Sequence, residues 1–462
     1  MGSGGSGNPN LSGPRNTSAT VELADILHSL GEKDVAPDFL IRKSNQLVEL
    51  LQDNEHLKQD LMLRSIIHKI QNLLLNTNSI VTGCGFRVLR YLLNDIDSLV
   101  LFNKLNLDLF IVHSLGKDDS NVIEREEALR LLRVYLQIEG GADIMPLGCV
   151  RSIVSVIENI DDSLRIAAVE TLCEICLLKA ELAYKANGIK TLIQYLIEGP
   201  TPLLSVCLVT LIKMLEVPSA RYYVLDERLL QLLISPFMDI VHVKIDKLQT
   251  VAYVITCLLK SWPGLIAFSQ NDFNLLSQLI NCLTFDVTPV RNILVQIFSD
   301  LFRVKLIPWV VAKDGSSDSI LLKDPTFVTH QIKVSLASRS NPEEEDDVVN
   351  HYTALLLHIA LKCDIISKLE YVFEKTMNDP KQSKRVVILL SEILYLKSYL
   401  IPQQLNIQMA PSFKLNDLIY RELRKHHTKT NEQTLEEFNQ ANGNVKTKFM
   451  TTSESKETGR DL

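Results

Sequence analysis

A chain of 462 residues, 46% hydrophobic and 22% charged with only 18 glycines and 16 prolines, is long and apolar enough to bury a large helical core. Its formal charge of −7, with a pI near 5.9, argues against a protein that coats or tracks nucleic acid, because such binding depends on displacing counterions with clustered lysine and arginine. The strongly apolar, uncharged run 200–212 has 13 residues and contains proline, short of the roughly 20 that a membrane-spanning helix needs, so no direct membrane span is expected.

In chain order, residues 1–20 open with MGSGGSGNPNLSGPR, a Gly/Ser/Pro-rich composition that predicts a flexible, linker-like leader. From Val21 to about Leu75 the apolar spacing predicts two or three helices, broken at Pro37. A repeated unit then emerges, clearest from Asp161 to Leu196. Leu164, Ala167, Ala168, Leu172 and Ile175 share one face of a 3.6-residue period, Asn187-Gly188 supplies a turn, and Ile189, Leu192, Ile193 and Leu196 begin a second stripe. Such a hairpin cannot bury both stripes by itself and needs a similar unit on each side. Gly85, Ala128, Ala168, Cys207, Ala252 and Leu294 occupy equivalent small or buried places, with spacings of 43, 40, 39, 45 and 42 residues. A period near 40 predicts an all-α, armadillo/HEAT-like helical-repeat solenoid over residues 21–310. Residues 311–350, with AKDGSSDS and SRSNPEEEDD, predict a polar and acidic, partly disordered insertion. Helical patterning returns over 351–425, and 426–462 read as a disordered tail.

The chain carries few signs of chemistry. Cys173 and Cys176 form a C-x-x-C without a second ligand pair, on or beside a buried stripe, and read as core thiols. Gly83-Cys84-Gly85 lacks the third glycine and preceding strand of a dinucleotide loop and reads as a close helix contact. Asp161-Asp162 stand at a helix start, where capping accounts for them. No catalytic, cofactor-binding or metal site is expected.

Partner binding offers more. Two and five residues after the small position come Arg87 and Arg90 in one repeat, Arg130 and Arg133 in the next. Those offsets lie about 140–200° from the buried position, so all four side chains are expected to leave the core and align as a ladder. Guanidinium forks suit carboxylate and phosphate oxygens, so the ladder is a candidate receptor for an acidic or phosphorylated partner segment. The bland alternative is a solvated face with local pairs such as Glu126 to Arg130. Trp262, one of two tryptophans, is either a brace at a repeat junction or a docking anchor.

The segments GFRVLRYLL (85–93), EREEALRLLR (124–133), the turn Ser261-Trp262-Pro263-Gly264 and PVRNILVQIFSDLFRVKLIP (289–308) resemble the N-terminal armadillo region of the Rictor family. The resemblance covers roughly Val21 to Pro402. It implies a non-catalytic, cytoplasmic scaffold subunit of TOR complex 2, brought to the plasma membrane as part of the complex. The implied partners are the TOR kinase, the Sin1-type subunit and the other TOR complex 2 subunits. A rival of another class is an armadillo-type adaptor or transport receptor that binds extended peptides. It would carry repeated groove tryptophans, and this chain has Trp262 and Trp309 only.

Overall fold

A computed structural model of the chain describes residues 13–32, 35–54, 63–200, 203–239, 244–302, 342–377 and 379–401. Among these residues the regular structure is helical and there is no strand. The lead-in comprises α1 (Gly13–Leu30), α2 (Pro37–Asp53), α3 (Leu63–Leu74) and α4 (Ser79–Leu92). Triplets follow: α5 (Ile96–Lys104), α6 (Asp108–Leu115) and α7 (Val122–Leu132); then α8 (Val134–Gln137), α9 (Leu147–Glu158) and α10 (Arg165–Leu178). The next are α11 (Ala180–Lys185), α12 (Gly188–Glu198) and α13 (Leu204–Glu216), then α14 (Pro218–Val224), α15 (Glu227–Met238) and α16 (Ile245–Leu259), followed by α17 (Trp262–Phe268) and α18 (Gln270–Asn281).

The third helices stack on one another, α4 on α7, α10 on α13 and α13 on α16. The second helices form a parallel row through α6, α9, α12, α15 and α18. This is the predicted helical-repeat solenoid, and its core lies between the two rows. Ala128, Ala168, Cys207 and Ala252 are all fully buried at corresponding points of α7, α10, α13 and α16. Small side chains there let neighbouring helices approach, and Gly85 in α4 does so most closely: a Cβ added to it would lie 3.0 Å from Leu74 Cδ2 and 3.1 Å from Leu73 Cβ.

A second regularity stands three residues before the small position. Thr82 Oγ1 donates to the carbonyl of Asn76 (3.2 Å) and Arg165 Nε to that of Ile157 (2.8 Å), while the Arg125 guanidinium pairs with Asp119. Each ties the first turn of a third helix to the connection before it, where acceptors would otherwise lack partners.

The chain divides into two compact units, with the boundary at Cys282 and Leu283, inside the 21–310 region that patterning treats as one array. The described helices of the second unit are α19 (Thr288–Leu301), α20 (Pro342–Lys362), α21 (Ile365–Thr376) and α22 (Pro380–Leu400). Within it α22 packs on α19, α20 and α21. Leu294 is fully buried, and Arg291, three residues earlier, donates from Nε to the carbonyl of Phe285 at 2.8 Å, the same device as in the first unit.

Two compositional expectations need correction. Helix α1 starts at Gly13, inside the expected leader, and α20 starts at Pro342, inside the expected insertion. Proline followed by polar or acidic residues is the composition of a loop and equally of a helix start, since proline is preorganised for the first turn and acids complement the helix dipole. The remainder of both segments, residues 402–425 and the expected tail 426–462 lie outside the described residues. Prolines largely keep to helix starts (Pro37, Pro218, Pro263, Pro289), but Pro236 sits inside α15. Its missing N–H would leave the Leu232 carbonyl without its helical donor, and the Ser235 hydroxyl supplies one at 2.8 Å.

Candidate functional site

The candidate surface is built on α4 and α7. Asn78 caps α4, its side chain accepting from the Ile80 N–H at 2.9 Å, and the close approach on Gly83 brings α7 alongside: a Cβ there would lie 3.4 Å from Ile123 Cγ2. The pairing fixes where the arginines emerge. Arg87, Arg90, Arg130 and Arg133 reach the surface with side chains 35%, 25%, 48% and 32% exposed, so each is only partly solvated.

They do not form a free ladder. Three converge on one carboxylate, Glu127, whose side chain is 3% exposed. Arg87 donates to Glu127 Oε1 from Nε and Nη2 (3.2 and 3.1 Å) and to Asn45 of α2 from Nη1 (3.5 Å); Arg130 donates to the same Oε1 at 2.9 Å and also pairs with Glu126. Arg90 lies 3.7 Å from Glu127 Oε2, too far for a hydrogen bond, and its guanidinium sits 5.3 Å from the Tyr91 ring centroid. Arg133 stands apart, bonded to Thr171 Oγ1 (3.2 Å) and Glu174, tying the end of α7 to α10.

Four cations thus meet three carboxylates, Glu126, Glu127 and Glu174, leaving one positive charge in excess. The unspent capacity is local. Among the described residues Arg90 has no hydrogen-bond partner for its five N–H groups, and Glu127 Oε2 likewise lacks one. Periodicity finds the arginines but misses Glu127. The signal was present: an acid immediately before the buried Ala128 lies on the core side of the helix and must find a cation there.

The sequence reading also missed a buried charge network at the start of α7. Arg125, 2% exposed, pairs with Asp119 and with Asp162, whose other oxygen accepts the Leu164 N–H at 2.9 Å. Beside it Glu124, fully buried, accepts from Ser114 Oγ and from Lys117 Nζ at 2.7 and 3.0 Å. Asp162 is therefore a counter-ion that also holds the turn before α10; it is not the expected helix cap, since the N-cap residue is Leu164. Cys173 and Cys176 are free thiols buried in α10; burial raises the Cys176 thiol well above its ordinary range, and hydrogen bonding to Cys173 together with burial raises Cys207. Among the described residues no group of three His, Cys, Asp or Glu side chains could hold a metal, and no single helix is long and apolar enough to cross a membrane.

The fold and this surface can be set beside known proteins. The family described as "Rapamycin-insensitive companion of mTOR, N-term" matches residues 41–402. The chain belongs to the Rictor family. It is 35% identical over 305 residues to "Target of rapamycin complex 2 subunit TSC11" of Saccharomyces cerevisiae, covering 63% of this chain and 21% of that protein. It is 29% identical over 400 residues to "Target of rapamycin complex 2 subunit ste20" of Schizosaccharomyces pombe, 81% of this chain and 30% of that protein. With the human "Rapamycin-insensitive companion of mTOR" it shares 25% identity over 389 residues, 78% of this chain and 22% of that protein. The chain thus spans between about a fifth and a third of these relatives.

In this Rictor-family chain the Ser-Trp-Pro-Gly turn is a helix start. Ser261 caps α17, its Oγ accepting from the Gly264 N–H at 3.1 Å, with Trp262 and Pro263 in the first turn. Only glycine fits at 264, because a Cβ would lie 2.0 Å from the Leu258 carbonyl oxygen. Trp262 is 41% exposed and Ile266, one turn on, 55%, so the tryptophan is not buried as a brace would be and leaves apolar surface at this corner.

Proposed function

We propose that this chain is the N-terminal helical-repeat part of a non-catalytic scaffold subunit of TOR complex 2, which helps hold the TOR kinase together with the Sin1-type subunit and with substrates. The observation that carries the reading is the family match over residues 41–402, joined to relatives named as TOR complex 2 subunits. A stack of repeats presents a long continuous surface, which suits a part whose work is to be bound. The proposal places the subunit in the cytoplasm, reaching the plasma membrane with its complex.

Within this reading the guanidinium cluster of Arg87, Arg90 and Arg130 receives an acidic or phosphorylated segment of another subunit. Arg90 is the group with donors to offer, held in place by Tyr91 and by the field of Glu127, while Arg87, Arg130 and Arg133 are largely spent within the protein. Trp262 is proposed as a second, apolar contact.

The test uses the full-length subunit, affinity-tagged, in cells lacking their own copy. Partners recovered with it are identified and quantified by mass spectrometry. The TOR kinase and the Sin1-type subunit are expected with the intact protein and depleted when residues 41–402 are deleted; equal recovery from both would refute the scaffold role for this part. Arg90→Ala, which leaves the hydrogen bonds of Arg87 and Arg130 to Glu127 in place, is expected to weaken recovery of one partner by about ten-fold at low salt, with a smaller difference at raised salt. Unchanged recovery at all salt concentrations would mean that the cluster is a solvated face.

A further inference from the structure

A second concavity lies elsewhere in the first unit, between the α11–α12 hairpin and α15. It has a volume of about 660 Å³, within the range of roughly 300–1,000 Å³ typical of ligand sites. Leu229 and Leu232 give it apolar wall and Asn187, Gln231 and Ser235 polar edges, while Lys185, Lys190 and Arg228 bring three cations to its lining. A single carboxylate, Asp226, accompanies them.

That carboxylate is already committed. Asp226 Oδ2 accepts from the Tyr184 hydroxyl, and Oδ1 accepts the Arg228 N–H at 2.9 Å as the cap of α15 while lying 3.6 Å from the Arg228 side chain. The neighbouring acid Glu227 is engaged by Asn271 at 2.7 Å. Lys185 pairs with Glu181 one turn back along its own helix. Lys190, exposed, has no ion-pair or hydrogen-bond partner among the described residues. In a chain of net charge −7, this cavity is a local reversal of sign.

An aromatic row leads away from it. Tyr184 of the cavity wall lies 5.3 Å from Tyr223, which meets Tyr222 edge-on at 5.4 Å, and Tyr222 is 77% exposed. An exposed tyrosine supported by a second one is a favourable binding anchor, because a stiff ring loses little entropy on contact.

We infer that this cavity is a docking site for a short acidic peptide segment of a protein partner, with carboxylates on Lys190 and Arg228, an apolar side chain over Leu232, and the segment continuing across Tyr222. The charge complementarity selects the occupant: with Lys185 held by Glu181, Lys190 and the exposed Arg228 face one acid, Asp226, that is already hydrogen-bonded, so the site attracts carboxylates, and the leucines favour a peptide over a bare anion. The site shares no residue with the arginine cluster and does not rest on the proposed role of that cluster.

The probe is a short fluorescein-labelled peptide of alternating Glu and Leu, titrated into the purified chain and followed by fluorescence anisotropy; its Lys/Leu counterpart is the control. Saturable binding of the acidic peptide that weakens with salt is expected, and Lys190→Glu with Arg228→Glu is expected to lower affinity by about ten-fold or more. Both side chains are exposed, so the double variant should keep its helicity and melting temperature. A photo-crosslinking residue in the peptide gives a readout independent of any variant, with adducts expected on α12 and α15. The inference is overturned if the double variant binds as tightly as the parent, if no adduct maps to α12 or α15, or if inorganic phosphate displaces the peptide completely at concentrations where chloride does not.

Discussion

Arg125 and Asp162 illustrate how a residue pair can be needed once present without being a source of stability in itself. Both side chains are almost fully withdrawn from water, 2% and 4% exposed, and each ion has lost its hydration in exchange for the other. Replacing the pair by apolar residues of similar size is close to neutral in general, whereas removing one partner strands the other. Asp162→Ala, which leaves Arg125 with Asp119 as its remaining counter-ion, is expected to destabilise the chain by about 1.5–3 kcal/mol, and Arg125→Met with Asp162→Leu to recover much of that loss, measured by urea denaturation. Tyr184 and Asp226 make a gentler case. Burial pushes the Asp226 carboxyl up, but the Tyr184 hydrogen bond and the α15 N–H groups outweigh it and leave the carboxyl below its ordinary range; the same bond, with burial, raises Tyr184. A lowered carboxylate contributes above its unfolded pKa near 4 and loses that contribution as pH falls through its folded value; a raised phenol contributes below about 10 and loses it as pH rises through its folded value. Tyr184→Phe should thus cost about 1–2 kcal/mol near neutrality, with the difference from the parent shrinking on acidification below pH 4, as followed by denaturation at several pH values. At this scale the sequence was only half legible. The arginines of α4 and α7 follow from a 3.6-residue period, and so does the local pair of Arg130 with Glu126, but the partners of Arg87, Arg90 and Arg133 lie about 40 positions away, and no local rule pairs Arg87 with Glu127.

The helices themselves were legible wherever a stripe of large apolar residues recurs, as in α10 and α12, and illegible where composition favours two outcomes, as at the starts of α1 and α20. Glycine is the element-scale test of the packing. Gly83 and Gly264 look alike in sequence, yet a Cβ at Gly83 would meet Ile123 at an ordinary 3.4 Å and one at Gly264 would meet the Leu258 carbonyl at 2.0 Å. Gly83→Ala is expected to stabilise by up to about 1 kcal/mol, the helix-propensity difference, while Gly264→Ala must displace backbone and should destabilise by more than about 2 kcal/mol. Thermal melts that rank the two variants the other way would refute the close backbone approach at the α16–α17 corner. The start of α18 carries the opposite sign of opportunity. Asn271, Asp272 and Phe273 all have positive φ, 51°, 57° and 62°, a conformation that disfavours L side chains by roughly 1–2 kcal/mol per residue except for Asn and Asp. Phe273 alone lacks that exemption, so Phe273→Gly should relieve the conformational cost there, whereas Asp272→Gly should change stability little in the same assay.

At the scale of the first unit, what matters is that contacts run between adjacent triplets: α10 meets α13, α13 meets α16, and α12 lies between α9 and α15. In such a stack stability is nearly a sum of repeat and nearest-neighbour terms, so damage should stay close to where it is done. Gly264→Ala, at the junction of α16 and α17, is the sharp probe, because its clash is with the backbone of the immediately preceding helix. Hydrogen exchange read by mass spectrometry should show protection lost first in α15 to α18, declining through α12 and α13, and little altered in α4 and α7, whose contacts lie mainly with each other and with α2, α3, α6 and α8. A compact bundle with a single shared core would respond differently, losing protection in α4 and α18 together. Uniform loss across both would therefore refute the stacked-repeat account of the first unit, and with it the view that the arginine cluster on α4 and α7 and the cationic cavity on α12 and α15 are energetically separate surfaces.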